Sequence, residues 1–313
     1  LGKEVIVIVG PTASGKTRLG IDLALELNGE IISADSRQVY KHINIGTAKP
    51  SQSELESVKH HFISILELDA YYNVSMFEKD ALKKISELFK EGKQPVVVGG
   101  SGLYIKALVD GIFDEGEVNF EIREELIRMR NEFGNEYLYH QLKSVDPNAA
   151  KTMLPQNWKR VIRALEVFHS TGKSILELHK IHKREVEFDF VQFGLNWERE
   201  VLYKRIEDRV DWMFENGLVE EVKSLYDKGY NEEVNSLNTV GYKEIFSYFH
   251  GVISLERAKE LIKRNTRRFA KRQFTWFKKD ERIHWFDIED DSALLKIKSK
   301  IINQLRTKNE REN

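Results

Sequence analysis

Two short stretches of this 313-residue chain carry residues whose types and spacing could do chemistry together. Gly10-Pro11-Thr12-Ala13-Ser14-Gly15-Lys16-Thr17 has the G-x-x-x-x-G-K-[ST] spacing of a phosphate loop. Its glycines let consecutive backbone N–H groups curl toward one anion, Lys16 reaches the phosphates, and the Thr17 hydroxyl is placed to hold Mg²⁺. The second stretch, Asp35-Ser36-Arg37-Gln38-Val39-Tyr40, packs a carboxylate, a hydroxyl, a guanidinium and an amide into one turn. Such a turn can accept a proton and hydrogen-bond a nucleobase edge at once; Asp35 or Ser36 could equally be a helix cap.

The surrounding pattern says what must hold these residues. Val5 to Val9 are five apolar, β-prone residues leading straight into the loop, and they read as a strand buried on both faces. A helix from Thr17 to about Leu27 follows and turns its positive N-terminal end to the anion. Glu30 to Ser36 reads as a second strand, and in open α/β sheets ligands bind at the carboxyl ends of strands, which brings Asp35 to the same crevice. His61 to Leu66 suggests another strand. Ser75-Met76-Phe77-Glu78 has the form of a capping box opening a helix that stops near Gly92, and Pro95 to Gly100 is a buried parallel strand followed by a helix over 103–109. This alternation predicts an α/β fold, a P-loop doubly wound parallel sheet. The strand at Val96-Val97-Val98 ends in Gly99-Gly100-Ser101-Gly102, without the acid that holds Mg²⁺ in P-loop enzymes using ATP, which counts against an ordinary ATPase. The glycines admit a close-lying flat or bulky group, or simply make a tight turn.

From about Phe113 to Glu187 the pattern is charged and helical, with helices expected over 121–133, 136–143, 146–153 and 158–169, Asp146 and Pro147 serving as cap and first position. This predicts a helical insertion domain at 113–188 that divides the P-loop core into 1–112 and 189–313. The sheet resumes over 188–197. A helical stretch over 199–228, broken at Gly217, carries Arg209, a lid arginine that could swing toward a departing phosphate, and Arg205, spaced to pair along the helix with Asp208. A long basic helix over 255–279 and an edge strand at 284–287 complete the core, with a frayed polar tail past Arg306.

The formal net charge is only −1, so a nucleic-acid surface has to come from local clustering. Between Glu256 and Arg282 eleven Lys or Arg stand against four Asp or Glu, interleaved with Phe269, Phe274, Trp276 and Phe277, as backbone neutralisation plus base stacking requires. The aromatics are expected mostly in the core, with Lys271, Arg272 and Gln273 available to solvent. Lys159-Arg160-Val161-Ile162-Arg163 forms a second basic group in the insertion, and the two together point to a polynucleotide substrate. The chain has no cysteine, which excludes disulfides, thiolate zinc sites and a cysteine nucleophile. Adjacent His60 and His61 read as structural. With no signal peptide and no apolar run near the roughly 18 residues of a membrane helix, a cytoplasmic protein without membrane contact is expected.

Taken in order, GPTASGKT, DSRQVY with INIGTAKP, VVVGGSGLYIKAL, RALEVFHSTGKS, RVDWMFENGLVEEV, NTVGYKEI and RRFAKRQFTWFK resemble the blocks of the bacterial tRNA dimethylallyltransferase (tRNA isopentenyltransferase) family over about residues 4–288. The resemblance implies that the loop holds the diphosphate of dimethylallyl diphosphate and not ATP. It implies transfer of the prenyl group to the exocyclic amine of the adenosine 3′ of the anticodon, releasing pyrophosphate with Mg²⁺ as cofactor. By matching motif it makes Asp35 the general base, Thr17 a partner of the diphosphate and its metal, and Arg209 a stabiliser of the leaving group. The tRNA anticodon stem-loop would be contacted by Asp35, Ser36, Arg37, Gln38, Ser101, Arg123, Lys159, Arg160, Arg163, Gly241, Lys243, Lys271, Arg272, Gln273, Trp276 and Lys278. The cysteine-and-histidine zinc extension of eukaryotic relatives is missing, which points to the bacterial type, and a monomer is expected. The rival readings are a P-loop nucleotide kinase and an adenylate isopentenyltransferase, which needs no tRNA clamp.

Overall fold

The computed structural model describes residues 3–112, 120–181 and 185–312. In chain order its elements are β1 (Glu4–Val9), α1 (Lys16–Glu26), β2 (Gly29–Ser33), α2 (Gln52–Ser57), β3 (His60–His61), α3 (Val74–Lys90), β4 (Gln94–Gly99), α4 (Gly102–Asp110), α5 (Phe120–Val145), α6 (Pro147–Ala150), α7 (Trp158–Thr171), α8 (Ile175–Ile181), β5 (Asp189–Trp197), α9 (Arg199–Glu215), α10 (Leu218–Tyr226), α11 (Tyr242–Phe249), α12 (Leu255–Phe277), β6 (His284–Ile288) and α13 (Ala293–Glu312). The strands form one sheet in the order β3-β2-β4-β1-β5-β6, every neighbouring pair parallel. β1 lies in the middle, with Ile6 opposite Val96 on one side and Val191 on the other. The chain leaves β1 toward β2 and returns to β4, whereas β5 and β6 build outward from its other edge. The carboxyl end of β1 is therefore a point where strand order reverses, the place such sheets bind ligands.

Alternation along β1 sets the layers. Val5, Val7 and Val9 enter a core with Phe77 and Ile85 of α3, Tyr104 and Leu108 of α4, and Val222, Phe246, Ile262 and Phe277 of α10 to α12. Ile6 and Ile8 face the other way, onto Leu19 and Leu23 of α1, Ile206 of α9, and Ile297 and Ile301 of α13. Each such side chain removed from water contributes about 1.5–3 kcal/mol, so β1 is pinned from both sides and its last residue becomes a fixed anchor.

The chain divides into two compact units, Leu1–Val109 with Val186–Asn313, and Asp110–Glu185. The second has its own core of Leu138, Leu142, Ala149, Val161, Leu165 and Leu178. Within it Gly134, at φ 86°, kinks α5, and Asp146 caps α6 by accepting the Ala149 N–H at 3.0 Å.

Three local expectations are corrected. The strand expected over 61–66 ends at His61, because Phe62 and Ser64 adopt φ of 64° and 53°; residues 64–66 bond instead to the turn at 38–41. Asn73, not Ser75, caps α3, its Oδ1 accepting the Met76 N–H at 2.9 Å. The polar tail is not frayed from Arg306: α13 runs to Glu312, anchored by Leu294, Ile297, Ile301 and Leu305 at helical spacing. Among the described residues no helix is long and apolar enough to cross a membrane.

Candidate active site

Past Val9 the backbone turns through Gly10, Ala13 at φ 63° and Gly15 at φ 87°, and α1 begins at Lys16. No side chain caps α1, so its first N–H groups are left for a ligand. The loop is gripped from outside. Trp197 Nε1 donates to the Ser14 carbonyl at 2.9 Å, Arg205 Nε donates to the Ala13 carbonyl at 3.0 Å, and Gln273 Oε1 accepts the Thr12 N–H at 2.9 Å. Arg205 also pairs with Asp291 at 2.8 Å, and not with Asp208, which takes Lys204 at 2.6 Å. One turn further along α9, Arg209 Nη1 donates to Thr12 Oγ1 at 3.3 Å, and no carboxylate pairs with it among the described residues.

Lys16 curls over its own loop, Nζ donating to the Pro11 carbonyl at 2.6 Å. Burial first, then the charge of Arg209, lower its pKa to about 7 against the pull of Asp35. The Arg209 pKa is likewise lowered by burial, with Asp35 opposing. Two desolvated cations with one carboxylate nearby form a site short of negative charge, which an anion would supply.

That carboxylate lies at the carboxyl end of β2. Asp35 Oδ1 accepts the N–H groups of Arg37 at 2.8 Å and Gln38 at 3.3 Å. The capping and chemical readings of Asp35 are thus compatible: one oxygen fixes the turn, while Oδ2 has no hydrogen-bond partner among the described residues. The Ser36 N–H donates to Ser101 Oγ at 3.0 Å. Arg37 and Gln38 are committed to the protein itself. Arg37 Nη1 donates to the Asn235 carbonyl at 2.6 Å, and Gln38 Nε2 to the carbonyls of Thr47 and Ala48 at 3.1 and 3.0 Å. The segment they brace is held from below by Glu221, whose carboxylate accepts the N–H groups of Asn44, Ile45 and Gly46 at 2.8, 2.9 and 3.1 Å and the Tyr242 hydroxyl at 2.6 Å. Glu221 was not among the sequence-predicted site residues, although it stands inside the RVDWMFENGLVEEV block, which was the signal available.

A cavity of about 820 Å³ brings these groups together, lined by residues 12–18, Asp35 to Gln38, Ser101, Arg209, Gly241, Lys243, Arg272 and Gln273. Gly241 starts α11 at φ 101°, its N–H donating to Glu244 at 2.8 Å. On α12 the expected exposure is corrected at Gln273, which is only 7% exposed. With Ala270 and Phe277 it shares the inward face that three- and four-residue spacing defines. The aromatics are corrected too: Phe277 is buried, but Phe269 and Trp276 are 40% and 38% exposed. Lys278 lies over Phe274 and Trp285 at 5.2 and 5.1 Å. Lys259 and Lys263 pair with Asp211 and Arg267 pairs with Glu207, so these cations bind α12 to α9. Arg264, Arg268, Lys271 and Arg272 are exposed at positions that share one helix face, a basic stripe of which only the last two residues were anticipated.

Within the second unit, Lys159 and Arg160 are exposed on the first turn of α7, where Trp158 carries Arg130 at 4.1 Å and Lys159 at 5.4 Å over its ring. Arg163 pairs with buried Glu166 at 3.0 Å, and Arg123 is half-exposed on α5. His61 Nε2 meets Glu30 Oε2 at 2.6 Å in a cluster with Lys59 and Lys93, the structural role expected of it. Among the described residues no group of three His, Asp or Glu could hold a metal unaided.

The sequence model described as IPP transferase matches residues 38–280. The chain belongs to the IPP transferase family. Two tRNA dimethylallyltransferases show how far the relationship extends: that of Thermoanaerobacter sp. (strain X514) is 46% identical over 309 residues, covering 97% of this chain and 98% of its own, and that of Alkaliphilus oremlandii is 47% identical over 289 residues, 92% of each. Among solved structures, the full-length tRNA isopentenylpyrophosphate transferase of Bacillus halodurans superposes with a TM-score of 0.73 at 40% identity over 99% of both chains. A eukaryotic dimethylallyltransferase acting on tRNA superposes with a TM-score of 0.80 at 32% identity, over 91% of this chain and 74% of its own. The IPP transferase family match starts beyond Gly10–Thr17 and Asp35, so for those residues the near full-length relatives carry the kinship.

Proposed function

We infer that the chain is a tRNA dimethylallyltransferase, moving a dimethylallyl group from its diphosphate to the exocyclic amine of the adenosine 3′ of the anticodon. The observation that carries the reading is one cavity holding a phosphate loop, two cations and a carboxylate with one oxygen uncommitted. The adenine amine attacks the allylic carbon, the carbon–oxygen bond breaks toward the diphosphate, and the amine proton passes to Asp35. An exocyclic amine is a weak base, but it becomes strongly acidic as its new bond forms, so an ionised carboxylate is a sufficient acceptor. Loop N–H groups, Lys16 and Arg209 hold the charge that collects on the leaving diphosphate.

Thr17 lines the cavity at the start of α1, and with so few protein oxygens the site suits Mg²⁺ carried mainly on the diphosphate, with the Thr17 hydroxyl as its protein ligand. Bound there, the ion would neutralise phosphate charge as the allylic carbon becomes cation-like. The acceptor base must leave the anticodon stack to reach Asp35, at a cost of a few kcal/mol that phosphate contacts to the basic stripe on α12, with stacking on Phe269 and Trp276, would offset. The cytoplasm, where such tRNA acceptors are met, is the compartment in keeping with this reading. Incubation with radiolabelled dimethylallyl diphosphate and an anticodon stem-loop, with free AMP and γ-labelled ATP as parallel arms, tests the reading. Label in the stem-loop alone supports it; prenylated AMP alone, or phosphoryl transfer without a carbon–nitrogen bond, overturns it.

A further inference from the structure

Gln273 stands in the basic block of α12, flanked by Lys271 and Arg272, yet its side chain points away from them into the protein. Its two amide atoms are both used. Oε1 accepts the Thr12 N–H at 2.9 Å, and Nε2 donates to the Gly100 carbonyl at 2.9 Å. The glycine run at the end of β4 is shaped around this contact. A Cβ at Gly100 would sit 2.3 Å from Gln273 Nε2, and a Cβ at Gly102 would sit 2.3 Å from the Trp276 ring, one turn further along α12. The inner edge of α12 thus lies against Gly100 and Gly102, whereas a Cβ at Gly99 would meet the Ala34 backbone instead.

The contact joins two things that the chemistry needs at fixed spacing, the anion loop and the Asp35 turn. Thr12 belongs to the anion loop and also receives Arg209 on its hydroxyl. Gly100 is followed by Ser101, whose hydroxyl accepts the Ser36 N–H beside Asp35. Hydrogen bonds, joined by the one covalent step from Gly100 to Ser101, thus lead from the anion loop through Gln273 to the turn that carries Asp35.

We propose that Gln273 is a positioning residue. By holding the Thr12 N–H and the Gly100 carbonyl together, it sets the distance between the anion loop and the Asp35 turn and fixes α12 in register with both. This assignment rests on the proposed prenyl transfer, and it replaces an RNA contact at this position. Glutamine suits the task because it is uncharged, carries one acceptor and one donor, and leaves neither partner unpaired in a buried place.

Gln273→Met keeps the length and loses both hydrogen bonds; Gln273→Glu keeps the Thr12 bond but sets a carboxylate oxygen against the Gly100 carbonyl. For the full chain, inorganic pyrophosphate binding by calorimetry, stem-loop binding by anisotropy, and steady-state kcat with KM for each substrate are measured on protein whose folded fraction is set by its melting curve. Each broken bond is worth up to about a tenfold effect, so pyrophosphate affinity and kcat are expected to fall about tenfold or more in Gln273→Met, which loses both, and about severalfold to tenfold in Gln273→Glu, which loses one and adds a repulsion, with stem-loop affinity within about twofold of the parent in each. Weaker stem-loop binding with normal pyrophosphate affinity and kcat would make Gln273 an RNA contact and overturn the proposal. A lowered melting temperature with normal pyrophosphate affinity, kcat and KM in the folded fraction would make the role merely structural and overturn it equally. If the parent transfers no prenyl group to any adenine, the functional reading fails, while pyrophosphate affinity still reports on Gln273.

Discussion

Lys16 gives the most direct physical test of the site. With a pKa lowered from 10.5 to about 7, it is mostly neutral in the ligand-free protein at pH 8. A diphosphate bound against it would return the pKa toward its ordinary value, so binding must take up a proton. The uptake follows from titration alone: about 0.9 proton at pH 8, about 0.5 at pH 7 and about 0.1 at pH 6, with affinity weakening up to about tenfold per pH unit above 7. The same shift has a stability counterpart of fixed sign. Because the folded pKa lies below the unfolded one, the unfolded chain binds more protons between about pH 7 and 10.5, and ligand-free stability should rise with pH across that window. The assay is calorimetric titration of inorganic pyrophosphate at pH 8, without Mg²⁺, in two buffers of very different ionisation heat. The difference in observed enthalpy divided by the difference in buffer heat reads the protons directly. Lys16→Met should bind more weakly and take up about 0.9 proton fewer than the parent at pH 8, a difference from which the diphosphate's own titration cancels. Equal proton uptake by parent and variant would show that Lys16 is already charged, and the account of a charge-deficient anion site would go with it.

Three further outcomes follow from the geometry. Asp35→Asn keeps the Oδ1 contacts to the Arg37 and Gln38 amides but cannot take a proton; single-turnover rates should drop by about 10² to 10⁴ with stem-loop affinity unchanged, and near-normal turnover would remove Asp35 as the base. Replacing Arg268 and Lys271 together by Ala should lessen the slope of log affinity against log salt by about 1.5, and an unchanged slope in anisotropy titrations would take the stripe off the RNA surface. Glu221→Gln removes the charge that three amides and the Tyr242 hydroxyl share; it should cost about 1.5–3 kcal/mol by denaturant titration, and a neutral result would mean the 44–46 loop is held by other means.

What could be read from the chain alone was what local spacing encodes. The phosphate loop, Asp35 at the end of a strand and Arg209 one turn beyond Arg205 are patterns within a dozen residues, and the folded chain brings all three to one cavity. The kink at Gly134, the cap at Asp146 and the break at Gly217 were legible for the same reason, each being a residue type with a backbone preference. The misreadings arose where partners are distant. Gln273 looked exposed because its sequence neighbours are cations, and its inward turn depends on Gly100, 173 residues earlier. Counting helix phase from Ala270 to Phe277 would have found it. Glu221 bonds backbone 175 to 177 residues away, and backbone amides leave no mark in a sequence. Phe62 and Ser64 adopt left-handed conformations without being glycine or asparagine, so the early end of β3 had no local sign.

The grip on the anion loop also has an order in time. The loop itself is finished by residue 17, but the groups that brace it, Trp197, Arg205, Arg209 and Gln273, all come from the last 117 residues, and β1 stays an open edge until β5 pairs with it. At about 5–20 residues per second on the ribosome, the first-made part of the site waits several seconds or more for the part that completes it. A chain cut short before residue 273 would carry the whole phosphate-loop sequence yet lack the side chain that holds the Thr12 N–H in place.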